Sequence, residues 1–296
     1  MGRATADNPA EPVRARRQGC ATGRSHVGGT VMNRQTPGRL EAAFSRREDE
    51  GRKVFVAYLT VGDPGIQESL ELADALVRQG VDIIELGVPF SDPVADGPTI
   101  QAASERALDR GTSLDDVFAV AGALRARHPD VGIVLMGYAN PFHHYGLAET
   151  ARRSADAGVD GWIVPDVSWE ESWRFREHLN ANGVAWIPLI APTTGPQRAA
   201  EMLADTRPPF AYYVSVTGVT GVRSGLPEGW DEPYRAIREA AGTPIVLGFG
   251  IGNRDSAAGA AAVADGVVVG SAIVSRAATE PADAVATFVR ELRDVV

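Results

Sequence analysis

Three carboxylates crowd the stretch IELGVPFSDPVADGPTI, Ile84 to Ile100: Glu85 inside an apolar run, then Asp92 and Asp96 in the Pro- and Gly-rich turn after it. Side chains alternate along a strand, so Glu85 points away from the face shared by Ile84 and Leu86. In a partly dry place a carboxyl holds its proton more tightly than in water, which suits a general acid near neutral pH. Asp96 follows eleven positions later, past a turn that folds the chain back, so two acids can approach one small molecule from different sides. The plain alternatives are a buried acid paired with a basic group for Glu85, and turn or cap residues for Asp92 and Asp96, since Asp before Pro or Gly is common in turns. An unpaired acid in an apolar strand is costly, which favours a functional Glu85, while the turn reading is favoured for Asp92.

A second set of residues is made of glycines. The Gly-dense SVTGVTGVRSGLPEG has the length and composition of a lid, GFGIGN ends another apolar run, and VGSAIV opens what reads as a helix. Backbone N–H groups in such turns and at helix starts attract phosphate, so a phosphorylated ligand is one reading and tight turns alone the other. The histidines lack carboxylates at ligand spacing, which argues against a metal. No G-x-S-x-G elbow, reactive cysteine or strand-borne lysine offers a covalent nucleophile.

These residues need elements to hold them. From Lys53 onward eight β-rich apolar runs, VFVAYLT, VDIIELG, VGIVLMGY, VDGWIVP, VAWIPLI, FAYYVSV, TPIVLGF and ADGVVVG, alternate with helical stretches such as GIQESLELADALVRQG and LAETARRSADAG. Near-continuous apolar runs suit parallel strands covered on both faces. Eight strand-then-helix units with right-handed crossovers close as an α/β (β/α)8 TIM barrel, whose reactive residues lie at the carboxyl ends of the strands. An open doubly wound sheet is the competing architecture, but the turn after the first run, TVGDPGI, lacks the dinucleotide fingerprint. In the barrel Glu85, Asp96 and the glycine loops all fall at the same end.

The bulk numbers agree with one large domain: 296 residues, 44% hydrophobic and 23% charged, with no apolar run long enough for a membrane span. A net charge of −9 without a basic block gives no footprint for nucleic acid. The lone Cys20 cannot form an intramolecular disulfide, which fits a reducing, cytoplasmic setting. Residues 1–36 are Arg-, Gly- and Pro-rich and aperiodic, so a disordered tail is expected before a catalytic domain over 37–296; Met32 is a candidate for the true start of translation.

With those residues in view, the chain from about Leu40 onward resembles the tryptophan synthase α subunit family. The resemblance rests on IELGVPFSDPVADG, supported by LTVGDP, GYANP, PDV, GVTGVR, GFGI and GSAIV. It implies reversible retro-aldol cleavage of indole-3-glycerol phosphate to indole and glyceraldehyde 3-phosphate. Glu85 matches the family's acid/base residue and Asp96 the carboxylate that holds the indole N–H. Gly221, Gly250, Gly270 and Ser271 match phosphate-binding positions, Tyr212 and Thr220 match positions near the glycerol and lid, and Tyr58, Tyr138 and Ile190 match the indole pocket. The resemblance further implies a β-subunit partner in an α2β2 complex, with pyridoxal phosphate on that partner and no cofactor on this chain. A phosphate-binding regulatory barrel without turnover and a free-standing lyase are the competing classes; intact Glu85 and Asp96 favour an enzyme.

Overall fold

The computed structural model describes residues 38–214, 226 and 228–296. Nine parallel strand segments line up as β1 (Val54–Thr60), β2 (Ile83–Gly87), β3 (Gly132–Met136), β4 (Gly161–Ile163), β5 (Ala185–Trp186), β6 (Leu189–Ile190), β7 (Ala211–Tyr213), β8 (Ile245–Leu247) and β9 (Gly266–Val269). Their order is β5-β4-β3-β2-β1-β9-β8-β7-β6, so the two outermost segments are β5 and β6. Those two are consecutive pieces of a single run, separated by Ile187 and Pro188. Pro188 has no N–H to give, and the ladder changes sides there. Before it Ala185 and Ile187 donate to Asp160 and Trp162 at 2.9 and 2.8 Å; after it the Pro188 and Ile190 carbonyls accept from Tyr212 and Val214 at 3.0 and 2.9 Å. The sheet closes through this strand, and the nine segments make the eight strands of the expected barrel.

Alternation sorts the strand side chains into two layers. Val54, Val56, Ile83, Val134, Ile163, Ile187, Val246 and Val268 pack together inside the barrel. Phe55, Ala57, Ile84, Leu86, Ile133, Leu135 and Trp162 face outward into the larger layer beneath the helices. The amino-terminal end is plugged by the helix Arg39–Asp49, whose Leu40 and Ala43 join the inner layer and whose Phe44 ring lies tilted against that of Phe210, 5.5 Å between centroids. The opposite, carboxyl-terminal end is therefore the one left for chemistry.

Among the described residues, two of the crossovers carry more than one helix. Pro98–Asp109 and Leu114–Arg127 both follow β2, and Ala139–Tyr145 and Leu147–Asp156 both follow β3. The first of the extra helices matters for the site, because it fixes the loop that holds Asp96. Its Arg106 makes a two-pronged ion pair with the buried Asp63 in the loop after β1, at 2.8 and 2.7 Å, tying that helix to the β1 loop at the barrel mouth.

Candidate active site

Glu85 lies in β2 between Ile83 and Gly87, on the inward face, and is 2% exposed. Parallel register sets Tyr58 of β1 on one side of it and Val134 of β3 on the other. The arrangement is tight: a Cβ at Gly87 would lie 2.2 Å from the Tyr58 hydroxyl, so only glycine leaves room for that ring beside the acid. The Tyr58 hydroxyl is itself within 3.3 Å of Thr60 Oγ1. Among the described residues, nothing hydrogen-bonds the buried Oε2 of Glu85. Burial first, and the nearby Asp96 second, raise the Glu85 carboxyl to about 8, so it carries a proton at neutral pH.

Asp96 ends the loop after β2, one residue before the Gly97 cap of the helix Pro98–Asp109, and is 4% exposed. Its backbone N–H closes a turn onto the Pro93 carbonyl at 3.0 Å, and Gln101 Nε2 donates to its carbonyl at 2.8 Å. Tyr138, the residue before the helix Ala139–Tyr145, accepts from the Ala95 N–H at 3.0 Å, which brings its hydroxyl to the peptide next to Asp96. Burial raises Asp96 to about 6, and the Tyr138 hydroxyl opposes that rise. The two acids therefore differ at neutral pH: one protonated, one anionic. Asp92, four residues earlier, stays exposed in the turn with Ser91.

The remaining expected residues divide into three groups. Tyr212 of β7 joins the two acids: Glu85, Tyr58 and Asp96 all act on its phenol, which burial keeps neutral, and its ring lies over Gly248, where a Cβ would come within 1.7 Å. Gly250, in the loop after β8, adopts φ 73°, a left-handed conformation that glycine takes without strain. Gly270 and Ser271 begin the helix after β9, which neighbours both β8 and β1; a Cβ at Gly270 would lie 3.5 Å from Tyr58 Cβ. The glycine loops and the acids thus share one end of the barrel, with Tyr58 between them. Thr220 and Gly221 lie outside the described residues.

Ile190 falls elsewhere. It packs in the outer layer, in register with the outward-facing Tyr213, whereas its neighbour Leu189 pairs with Tyr212 and packs against the inner layer. The indole-pocket expectation for this strand is corrected accordingly: Leu189, not Ile190, faces the lumen. Parity carried the signal, because Trp186 and Ile190 share a phase and the bulky Trp186 packs outward. Met136 is a second apolar wall that the motifs did not single out. It is the inward residue at the end of β3 and packs against the cluster of Tyr58, Ile100, Ala103 and Val274.

Among the described residues no group of three or more His, Cys, Asp or Glu side chains could hold a metal ion, and no helix is long and apolar enough to cross a membrane. What the arrangement offers is a proton donor with a free oxygen, an anion held at a second point, aromatic and apolar walls, and a glycine-lined rim.

The family model for tryptophan synthase alpha chains matches residues 44–294. The tryptophan synthase alpha chain of Geobacter sulfurreducens is 45% identical over 262 residues, 87% of this chain and 98% of that one. The crystal structure of the Legionella pneumophila alpha chain superposes with a TM-score of 0.80 at 32% identity, covering 88% of this chain and 97% of that chain. A chain of Mycobacterium tuberculosis tryptophan synthase superposes with a TM-score of 0.81 at 35% identity, covering 88% of this chain and 99% of that one.

Proposed function

The chain belongs to the tryptophan synthase alpha chain family, a lyase of tryptophan biosynthesis, and on that premise we propose that Glu85 and Asp96 are the two carboxyls that cleave indole-3-glycerol phosphate. The observation that carries the assignment is the buried, unpaired Oε2 of a protonated Glu85 beside an anionic Asp96. Glu85 donates its proton to the indole carbon that bears the glycerol chain. The ring nitrogen becomes an iminium whose N–H faces Asp96, and that fixed anion stabilises the positive charge in a water-poor site. The Glu85 carboxylate then takes the proton of the adjacent hydroxyl, the carbon–carbon bond breaks, and its electron pair returns to the ring. Indole and glyceraldehyde 3-phosphate leave, and Glu85 is again protonated.

The phosphate would rest on the loops after β8 and β9, at Gly250, Gly270 and Ser271, with Thr220 and Gly221 contributing from the chain after β7. Two observations support that placement. The neighbouring strands bring these loops together, and the first N–H groups of a helix have no partner within it. Tyr58, Met136 and Leu189 would wall the indole, and Tyr212 the glycerol. The implied partner is a β subunit in an α2β2 complex, which would carry the pyridoxal phosphate; this chain would take no cofactor. Val94, 76% exposed on the loop that also carries Asp96, supports a protein contact on that side of the mouth.

The test is an assay of purified chain with indole-3-glycerol phosphate, following indole with and without the β subunit. Glu85→Gln and Asp96→Asn are each expected to lower indole release by at least about a hundredfold. Turnover near wild type in either variant would move that role to another residue. Cleavage that does not accelerate when the β subunit is added would favour a free-standing lyase.

A further inference from the structure

We propose that Gly87 is a positioning residue for Glu85: its missing side chain lets the Tyr58 ring lie across the mouth side of the acid, where the ring keeps water from the carboxyl. The catalytic consequence rests on the lyase reading above; the packing itself does not.

Strand register places the residues. β1 and β2 run parallel with Tyr58 opposite Glu85 and Thr60 opposite Gly87, so Gly87 and Thr60 stand one step nearer the mouth on the same inward face. The Tyr58 ring climbs to that level. Its hydroxyl comes 3.3 Å from Thr60 Oγ1, and a Cβ at Gly87 would meet the hydroxyl at 2.2 Å, Cζ at 2.6 Å and Cε2 at 2.8 Å. The end of the ring therefore rests on bare backbone one step above the acid. Other neighbours hold it there: Tyr58 packs with Ile100 and Ala103 of the helix Pro98–Asp109, Val274 of the helix Ser271–Ala277 and Met136 of β3. A methyl group at position 87 overlaps three ring atoms at once, and the ring has only packed neighbours to retreat into. The ring has to leave its place, and the space over Glu85 opens to the lumen.

The groups around Glu85 decide what that opening does. Asp96 faces it from the loop after β2, Tyr58 from β1 and Tyr212 from β7, while its neighbour on β3 is the apolar Val134. None of these is a cation. Asp96 adds to the cost of ionising Glu85, but burial is the larger cause of its raised value. Displacing the ring weakens that larger cause and leaves the smaller one in place.

The experiment is a carbon-13 NMR titration of the full chain labelled at the glutamate side-chain carboxyls, with Glu85 assigned by Glu85→Gln. In Gly87→Ala the Glu85 midpoint is expected to fall by about one pH unit or more, a fraction of what full burial can produce. Tyr58→Leu, which removes the ring without adding to β2, should lower it as well and decides the matter if Gly87→Ala does not fold. Together the two changes trade ring volume for the added methyl, so the double variant should titrate closer to wild type than either single variant. An unmoved midpoint in a folded single variant, or a double variant whose shift is the sum of the two, overturns the proposal. In parallel, the basic limb of kcat/KM for indole release, where Glu85 loses the proton it must donate, should move to lower pH with the NMR midpoint. A uniform fall in rate with limb and midpoint both unmoved would make Gly87 a structural glycine only. Wild-type chain that releases no indole, with or without the β subunit, defeats the lyase reading, while the titration still decides the packing.

Discussion

Glu85 and Asp96 are the same functional group put to opposite use, and their surroundings separate them. Glu85 sits on a strand facing the lumen with an unpaired oxygen, so burial acts on it unopposed. Asp96 sits on a loop under a tyrosine hydroxyl that offsets part of the same penalty. This difference has a consequence for stability. The folded Glu85 holds its proton up to about 8 against an ordinary 4.5, so between those values the folded chain binds more protons than the unfolded one, and stability falls as pH rises across that window. Glu85→Gln removes the ionisation and keeps the shape. By pH 9 it should be more stable than wild type by on the order of 4 kcal/mol, or roughly 8 °C in Tm, with the gap narrowing toward pH 5. Calorimetry showing a gap that does not change with pH, or a less stable variant at pH 9, would mean that Glu85 is not held protonated by burial.

Among the elements, the segment preceding β2 does at the bottom of the barrel what the Asp63–Arg106 pair does at the top. Asp82 is buried, accepts from the Phe55 N–H at 3.0 Å, and takes Arg47 at 2.7 Å and Arg46 at 3.2 Å from the plugging helix. Arg293, from the helix Ala282–Arg293, lies 4.0 Å from it with Nη1 and Nη2 buried and without hydrogen-bond partners, and burial lowers that guanidinium to about 10. One carboxylate thus balances charges from two helices against the sheet. Asp82→Asn keeps an acceptor for Phe55 but strands buried positive charge, and a loss of about 3 kcal/mol or more in chemical denaturation is expected. Glu149, in an exposed pair with Arg152, is the comparison: Glu149→Gln should leave the denaturation midpoint unchanged. Equal effects from the two substitutions would refute the hub. Elements of this kind were only partly legible. The eight apolar runs marked the strands, because burial on both faces leaves a continuous apolar signal. The helix Pro98–Asp109 was hidden behind its Pro–Gly entry, and the break in VAWIPLI at Pro188 is a switch of hydrogen-bonding partner that depends on barrel closure, which no local pattern encodes.

For the whole molecule, closure decides which end reacts. The inward phase of Glu85 could be read from Ile84 and Leu86 alone, and its meeting with Asp96 from a single turn. Met136 could not be read that way, because its place in the pocket wall is defined by register across several strands. Closure also requires the other end to be sealed, and the helix Arg39–Asp49 does this by placing Leu40 and Ala43 in the inner layer and Phe44 against Phe210. Burial of Leu40 and part of Phe44 is worth roughly 3 kcal/mol together, a large share of the stability of a typical domain. The residues before that helix add no sequence pattern able to pack. A chain beginning at Met32 is therefore expected to match the full chain in Tm and in indole release. A chain beginning at Gly51, which lacks the plug and the Arg46 and Arg47 contacts to Asp82, should lose its cooperative thermal transition. A cooperative transition within a few degrees of wild type in the chain that starts at Gly51 would show that the inner layer holds without its plug, and the bottom of the barrel would then have to be sealed by its own strands.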